Sequence, residues 1–224
     1  MKLVNSKKRI ENRKKGFSIL ELLMVMGIFS ILTGVTVFGY GDFNNNIITT
    51  NLAYEVALSV RQAQVFSLGV RGSSSNDFNT RYGVFFNKAA DGGNPSSFVF
   101  FADRDNYGIC DNDGDECDIS ICLAGADNEC EQVSSFTRGI EISRICASNS
   151  QNLINDSGDC HAGVESIDKA TITFTRPNPD ANILDAETSD SYQNISIILE
   201  ATNGSKRAVT VRQSGQISVE FISN

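Results

Sequence analysis

The 224-residue chain has no tryptophan, three prolines and a single histidine, His161. That histidine directly follows Cys160, where no third group is set to orient it as a base. No GxSxG, P-loop, HExxH or GxGxxG pattern occurs anywhere in the chain. Nucleophilic, metalloprotease and dinucleotide chemistry therefore has no foothold, and the chain reads as a non-enzyme. Positive charge is also scarce beyond the N-terminus. Residues 1–16 hold seven of the 19 Lys and Arg residues and one acid, Glu11, a local balance of +6; subtracted from the net −8, this leaves −14 for residues 17–224. A domain this acidic repels a phosphate backbone, which excludes nucleic acid as a partner.

What is present suits a folded, loop-rich protein: 41% hydrophobic residues and 18 glycines, in a length that allows one membrane helix and one globular domain. Six cysteines, Cys110, Cys117, Cys122, Cys130, Cys146 and Cys160, fall in one window. An even number without a CxxC pair favours disulfides in an oxidising compartment over a zinc site, with 15 connectivities open.

Residues 17–38, FSILELLMVMGIFSILTGVTVF, are apolar except for small polar residues and one acid. As a helix they span about 33 Å at 1.5 Å per residue, enough for a hydrocarbon core of about 30 Å. The basic cluster before them stays on the cytoplasmic side, which puts the C-terminal bulk outside. A secretory signal peptide is the plain alternative, but the apolar run is longer than the usual h-region and no A-x-A-like site follows. Met24, Met26 and Phe29 read as lipid-facing or bundle-packing residues. Glu21 is the anomaly, because a carboxylate inside a membrane-spanning run costs a few kcal/mol and needs a reason. A Glu that snorkels to the interface or stays protonated is the bland one.

The segment KKGFSILELL supplies a sharper reason. It resembles the leader and methylation motif of type IV pilins and type II secretion pseudopilins. In that family a membrane prepilin peptidase cuts after the glycine, which falls on Gly16, and methylates the new N-terminal residue, which falls on Phe17. The family glutamate falls on Glu21, and Ser18 stands where Thr is commoner. The resemblance implies filament assembly: the Glu21 carboxylate of one subunit neutralises the Phe17 amine of its neighbour in a dry helical bundle, which sets the axial stagger. It also implies an inner-membrane assembly platform, other pilin-like subunits and membrane lipid as partners.

Past the span, Gly39 and Gly41 can loosen the helix, and residues 42–46 are polar. Ile48, Leu52, Val56, Val60 and Ala63 then recur at spacings of three or four, which predicts an amphipathic half-helix running to about Leu68, with Gly69 at its end. From Arg71 the pattern changes to short β-rich runs at 82–86, 98–101, 140–142, 171–174, 195–199, 208–211 and 217–221, with a tight turn at 213–215. The expected fold class is α+β: a long N-terminal helix packed on an antiparallel sheet domain. The expected division is a leader at 1–16, a pilin helix at 17–70 with its membrane span at 17–38, and an extracytoplasmic domain at 71–224.

ArgGlnAlaGln at 61–64, the TyrGlyVal strand at 82–84, PheAlaAspArgAsp at 101–105, GlyIleGluIle at 139–142, ThrPheThrArgProAsnPro at 173–179 and the closing hairpin together resemble GspH/FimT-type minor pseudopilins. That resemblance implies two packed sheets. An insertion of about 103–165, which carries all six cysteines, departs from the compact family pattern. Its start, with Asp103, Asp105, the Tyr107 carbonyl, Gly108 and Asp111, matches the opening of an EF-hand-like loop, but Gly114 stands where the bidentate Glu belongs. Asp113, Asp115 and Glu116 are the substitutes available to a Ca²⁺ ion, and a solvated acidic loop is the alternative.

The functional expectation is a minor pseudopilin of a type II secretion or type IV pilus-like machine, driven by a separate cytoplasmic ATPase. The alternatives are a major or minor pilin of a surface pilus, or a membrane-tethered, Ca²⁺-binding adhesive module whose helix is only an anchor.

Overall fold

The fold is that of a computed structural model, which describes residues 16–69, 80–88, 95–104, 107–112, 115–116 and 129–222; at 37–43, 111–112 and 115–116 it describes the backbone alone. The chain divides into two units, Met1–Gly41 and Asp42–Asn224. The division falls at the edge of the polar stretch 42–46. One helix, α1 (Ile19–Leu68), contributes to both units.

In the first unit the window Ile19–Thr36 is long and apolar enough to cross a membrane, and none of it is buried. Its hydroxyls are satisfied within the helix. Ser30 donates to the Met26 carbonyl at 2.9 Å and Thr33 to the Phe29 carbonyl at 2.8 Å. Such back-bonding leaves no hydroxyl seeking a partner in an apolar medium.

The second unit is a sandwich with the rest of α1 laid against it. Its larger sheet has the order β10-β9-β8-β1-β2-β5, built from β1 (Arg81–Asn87), β2 (Ser97–Asp103), β5 (Cys130–Ser135), β8 (Lys169–Phe174), β9 (Ala181–Asp185) and β10 (Ser191–Tyr192). The smaller has the order β13-β12-β11-β6-β7, from β6 (Glu141–Ser148), β7 (Glu165–Ile167), β11 (Asn194–Glu200), β12 (Lys206–Arg212) and β13 (Ile217–Ile222). All these pairings are antiparallel, and β3 (Asp111–Asn112) pairs β4 (Asp115–Glu116) as a separate ribbon. This is the expected α+β class, with the two sheets that the family resemblance implied.

Strand alternation explains the layering. Tyr82, Val84 and Phe86 of β1, Phe98 and Phe100 of β2, and Ile172 and Phe174 of β8 point into a core shared with Ile195, Ile197 and Leu199 of β11 and Val209 and Val211 of β12. Leu52, Val56, Val60 and Ala63 of α1 close that core, with Ile48 packed at its margin. This is the stripe seen in the sequence; each of its larger side chains contributes about 1.5–3 kcal/mol by leaving water. Polar ties fix the second half of the helix. Arg207 Nε donates to Thr50 Oγ1 at 3.0 Å, Gln64 Nε2 donates to the Pro179 and Gly215 carbonyls at 3.0 and 3.3 Å, and the Tyr82 amide donates to Ser67 Oγ at 2.8 Å.

The opposite strand faces are covered too. Phe85, Val99 and Phe101 meet Ile109, Cys110 and Ala186 over the larger sheet. Cys146, Ile198 and Ala208 meet Ile154, Cys160 and Val164 over the smaller. Gly83 sits opposite Phe101 in the ladder, and a Cβ there would lie 2.8 Å from the Phe101 ring and from the Ile172 carbonyl, so the site admits only glycine without movement. Interval 103–165 is therefore no single excursion: it supplies edge strand β5 and also β6, which pairs with both β11 and β7. Strands β3, β4, β5, β7, β9 and β10 were not read from the sequence.

Candidate functional site

Gly16, Phe17 and Ser18 precede the helix, and Phe17 is 85% exposed. Ser18 caps α1. Its Oγ accepts the Leu20 amide at 3.3 Å, and its carbonyl accepts the Leu22 amide at 3.1 Å. With Ser18 at the cap position, Glu21 falls at the third helical residue, which is the spacing of a capping box. Glu21 therefore lies in the first turn, where the helix dipole favours negative charge. Ser18, noted in the sequence only as a departure from Thr, thus has a local role that its S-x-x-E spacing could have signalled.

The acidic segment is only partly within the described residues. Asp103 ends β2 fully buried; its Oδ2 accepts the Gly108 amide at 3.0 Å and lies 3.8 Å from Arg81 Nη1. Gly108 has φ +88°, the left-handed conformation that lets its amide turn back. Asp111 is described only as backbone in β3, paired with Glu116, while Asp105 and Asp113 lie outside the described residues. Among the described residues no group of three acids, histidines or cysteines is placed to hold a metal.

Cys146 of β6 and Cys160 form a disulfide, with Cα atoms 5.4 Å apart, that clasps the segment after β6 onto the smaller sheet. Cys110 and Cys130 are each disulfide-bonded, and Cys117 and Cys122 lie outside the described residues. No described cysteine is free. Near the sandwich edge, the Tyr192 hydroxyl donates to Glu165 Oε2 at 2.8 Å, joining β10 of one sheet to β7 of the other. Burial first, then this hydrogen bond and the negative charges of Glu165, Asp185 and Asp190, push the phenol pKa up. Burial lowers that of Arg207, whose guanidinium lies 4.6 Å from the centre of the Phe221 ring. Neither tie was legible in the sequence, because each joins residues from different elements.

Residues 12–37 match the family described as the prokaryotic N-terminal methylation motif. No curated protein and no solved structure matches the chain. The match spans the Gly16–Phe17 junction, Glu21 and the apolar helix, and it supports the type IV pilin-like class: structural filament subunits rather than enzymes. The motif implies processing by prepilin peptidase and assembly with other pilin subunits; with the apolar helix, it supports a membrane anchor whose C-terminal domain lies outside.

Proposed function

We propose that the chain is a minor pseudopilin-like filament subunit of a type II secretion or type IV pilus-like machine, held by one helix in the cytoplasmic membrane. Residues 1–16 are the leader, cleavage follows Gly16, Phe17 carries the methylated amine, and Glu21 is the assembly contact to the neighbouring Phe17. The observation that carries this reading is the methylation-motif match over residues 12–37, coupled to an exposed apolar helix with its acid in the first turn. The sandwich domain, with α1 tied along it, serves as the outer part of the subunit, and the assembly platform and other pilin-like subunits are its partners.

Glu21 variants test it. Glu21→Ala removes the counter-charge of a neighbouring amine in a low-dielectric bundle, a loss of about 3–5 kcal/mol for one member of a buried pair. Insertion survives, because the helix sheds a transfer cost of a few kcal/mol. Glu21→Gln keeps the capping-box geometry without the charge, so it separates assembly from helix capping. The expected result is normal membrane fractionation with crosslinking to pilin-like partners lost in Ala and reduced in Gln; wild-type crosslinking by both would leave the helix as an anchor only.

A further inference from the structure

The outer face of β12–β13, the segment after β6 and residue 193 enclose a polar trough that the filament reading does not use. One lobe, of about 270 Å³, is lined by Asn149, Gln151, Gln193, Arg212, Gln213 and Ser214. A second, of about 180 Å³, adjoins it through Gln151 and Arg212 and reaches Glu220. Arg212, the last residue of β12, takes part in no ion pair among the described residues, and its buried Nε has no hydrogen-bond partner. The rim is held in place by the backbone. The Gln193 amide donates to Asn149 Oδ1 at 3.1 Å, the Gln213 amide donates to the Gln193 carbonyl at 2.6 Å, and the Cys146–Cys160 disulfide fastens the covering segment.

The trough therefore offers one guanidinium and several neutral amides. A guanidinium without an acid favours a carboxylate, which it can take in a fork. Amides donate and accept together, as sugar hydroxyls do. Glu220 at the far lobe disfavours a ligand with more than one negative charge, which sets phosphorylated ligands aside. The turn at 213–215 is the one that Gln64 holds, and Gln64 lies about 22 Å along α1 from Thr49, fifteen residues at 1.5 Å each. The trough thus sits at the end of the sandwich that Gln64 ties to α1.

We propose that this trough binds an acidic sugar, a hexuronate whose carboxylate pairs with Arg212 and whose hydroxyls meet Gln151, Gln193 and Gln213. The test is saturation-transfer NMR or calorimetry on the mature full chain in detergent, with glucuronate, glucose, acetate and a singly charged glucuronate–glucose disaccharide as probes. Saturable millimolar binding of glucuronate, with glucose and acetate at least about tenfold weaker, supports the site. Tighter binding of the disaccharide assigns the ligand to a polysaccharide; equal binding assigns it to the free sugar. Arg212→Gln is expected to lose at least about tenfold in affinity. Gln151→Ala, which removes an exposed side chain with no hydrogen bond among the described residues, is expected to weaken binding several-fold while the melting temperature holds. No binding of any uronate probe at millimolar concentration, acetate binding as well as glucuronate, or unchanged affinity in folded Arg212→Gln would overturn the proposal.

Discussion

Replacing Gln64 by methionine isolates the tie between α1 and the sheets. Gln64 is 4% exposed, and its Nε2 serves two carbonyls, of Pro179 at 3.0 Å and Gly215 at 3.3 Å, while its Oε1 accepts from Arg61. Methionine keeps the length and volume but cannot donate. Each lost hydrogen bond costs about 0.5–1.5 kcal/mol net, and the Gly215 carbonyl, inside a packed turn, has little access to water as a substitute. A loss of about 2 kcal/mol follows, which for a domain of this size lowers the melting temperature by about 4–8 °C. Gln64→Ala adds a cavity and falls further. Thermal unfolding followed by circular dichroism measures both, and hydrogen exchange over the C-terminal part of α1 is expected to rise in step. If the methionine variant melts within a degree of the native protein, apolar packing alone holds the helix and the polar ties are incidental.

Other perturbations probe separate parts of the structure. Replacing Cys146 and Cys160 together by alanine opens a sequence separation of 14 and is expected to cost about 3 kcal/mol, read from denaturant midpoints; an unchanged midpoint would mean that the covering segment holds itself. Gly83→Ala pushes a methyl against the Phe101 ring and the Ile172 carbonyl and is expected to lose about 1–3 kcal/mol, whereas a neutral effect would show that β1 and β8 can part freely. Asp103→Asn is expected to destabilise the domain even in chelator, since Arg81 and Gly108 use that carboxylate; a loss seen only with Ca²⁺ present would make it a metal ligand instead. Because the Tyr192 phenol is raised in the folded state, its contribution is full below about pH 10, the unfolded value, and is lost as pH climbs through the native one. Tyr192→Phe is expected to flatten that alkaline fall in stability, and an identical alkaline profile would refute the link to Glu165.

The helix and most of the sheets were legible because their signals are local. The stripe from Ile48 to Ala63 has helical spacing, and the β-rich runs alternate between clear turn signals. Strands β5 and β10 escaped for a physical reason. Edge strand β5 reads CysGluGlnValSerSer with its side chains half-exposed, and β10 has only two residues, so neither carries an apolar pattern. A bulge between β11 and β6, where the register shifts at Ile198 and Leu199, lets both Ile142 and Ile145 face the core three residues apart, which breaks the alternation a strand reading depends on. Gln64 lies in the ArgGlnAlaGln segment at 61–64, but its partners at Pro179 and Gly215 are more than a hundred residues away, a pairing that only the fold reveals.

The central claim is that the chain is a processed, pilin-like subunit, and the mass of its mature N-terminus tests it most directly. Membrane-extracted protein digested for peptide mass spectrometry is expected to yield an N-terminal peptide that starts at Phe17 and carries one methyl group on its amine. A chain that keeps Met1, or one that begins after residue 38 as a cleaved secretory signal would leave it, would contradict the account.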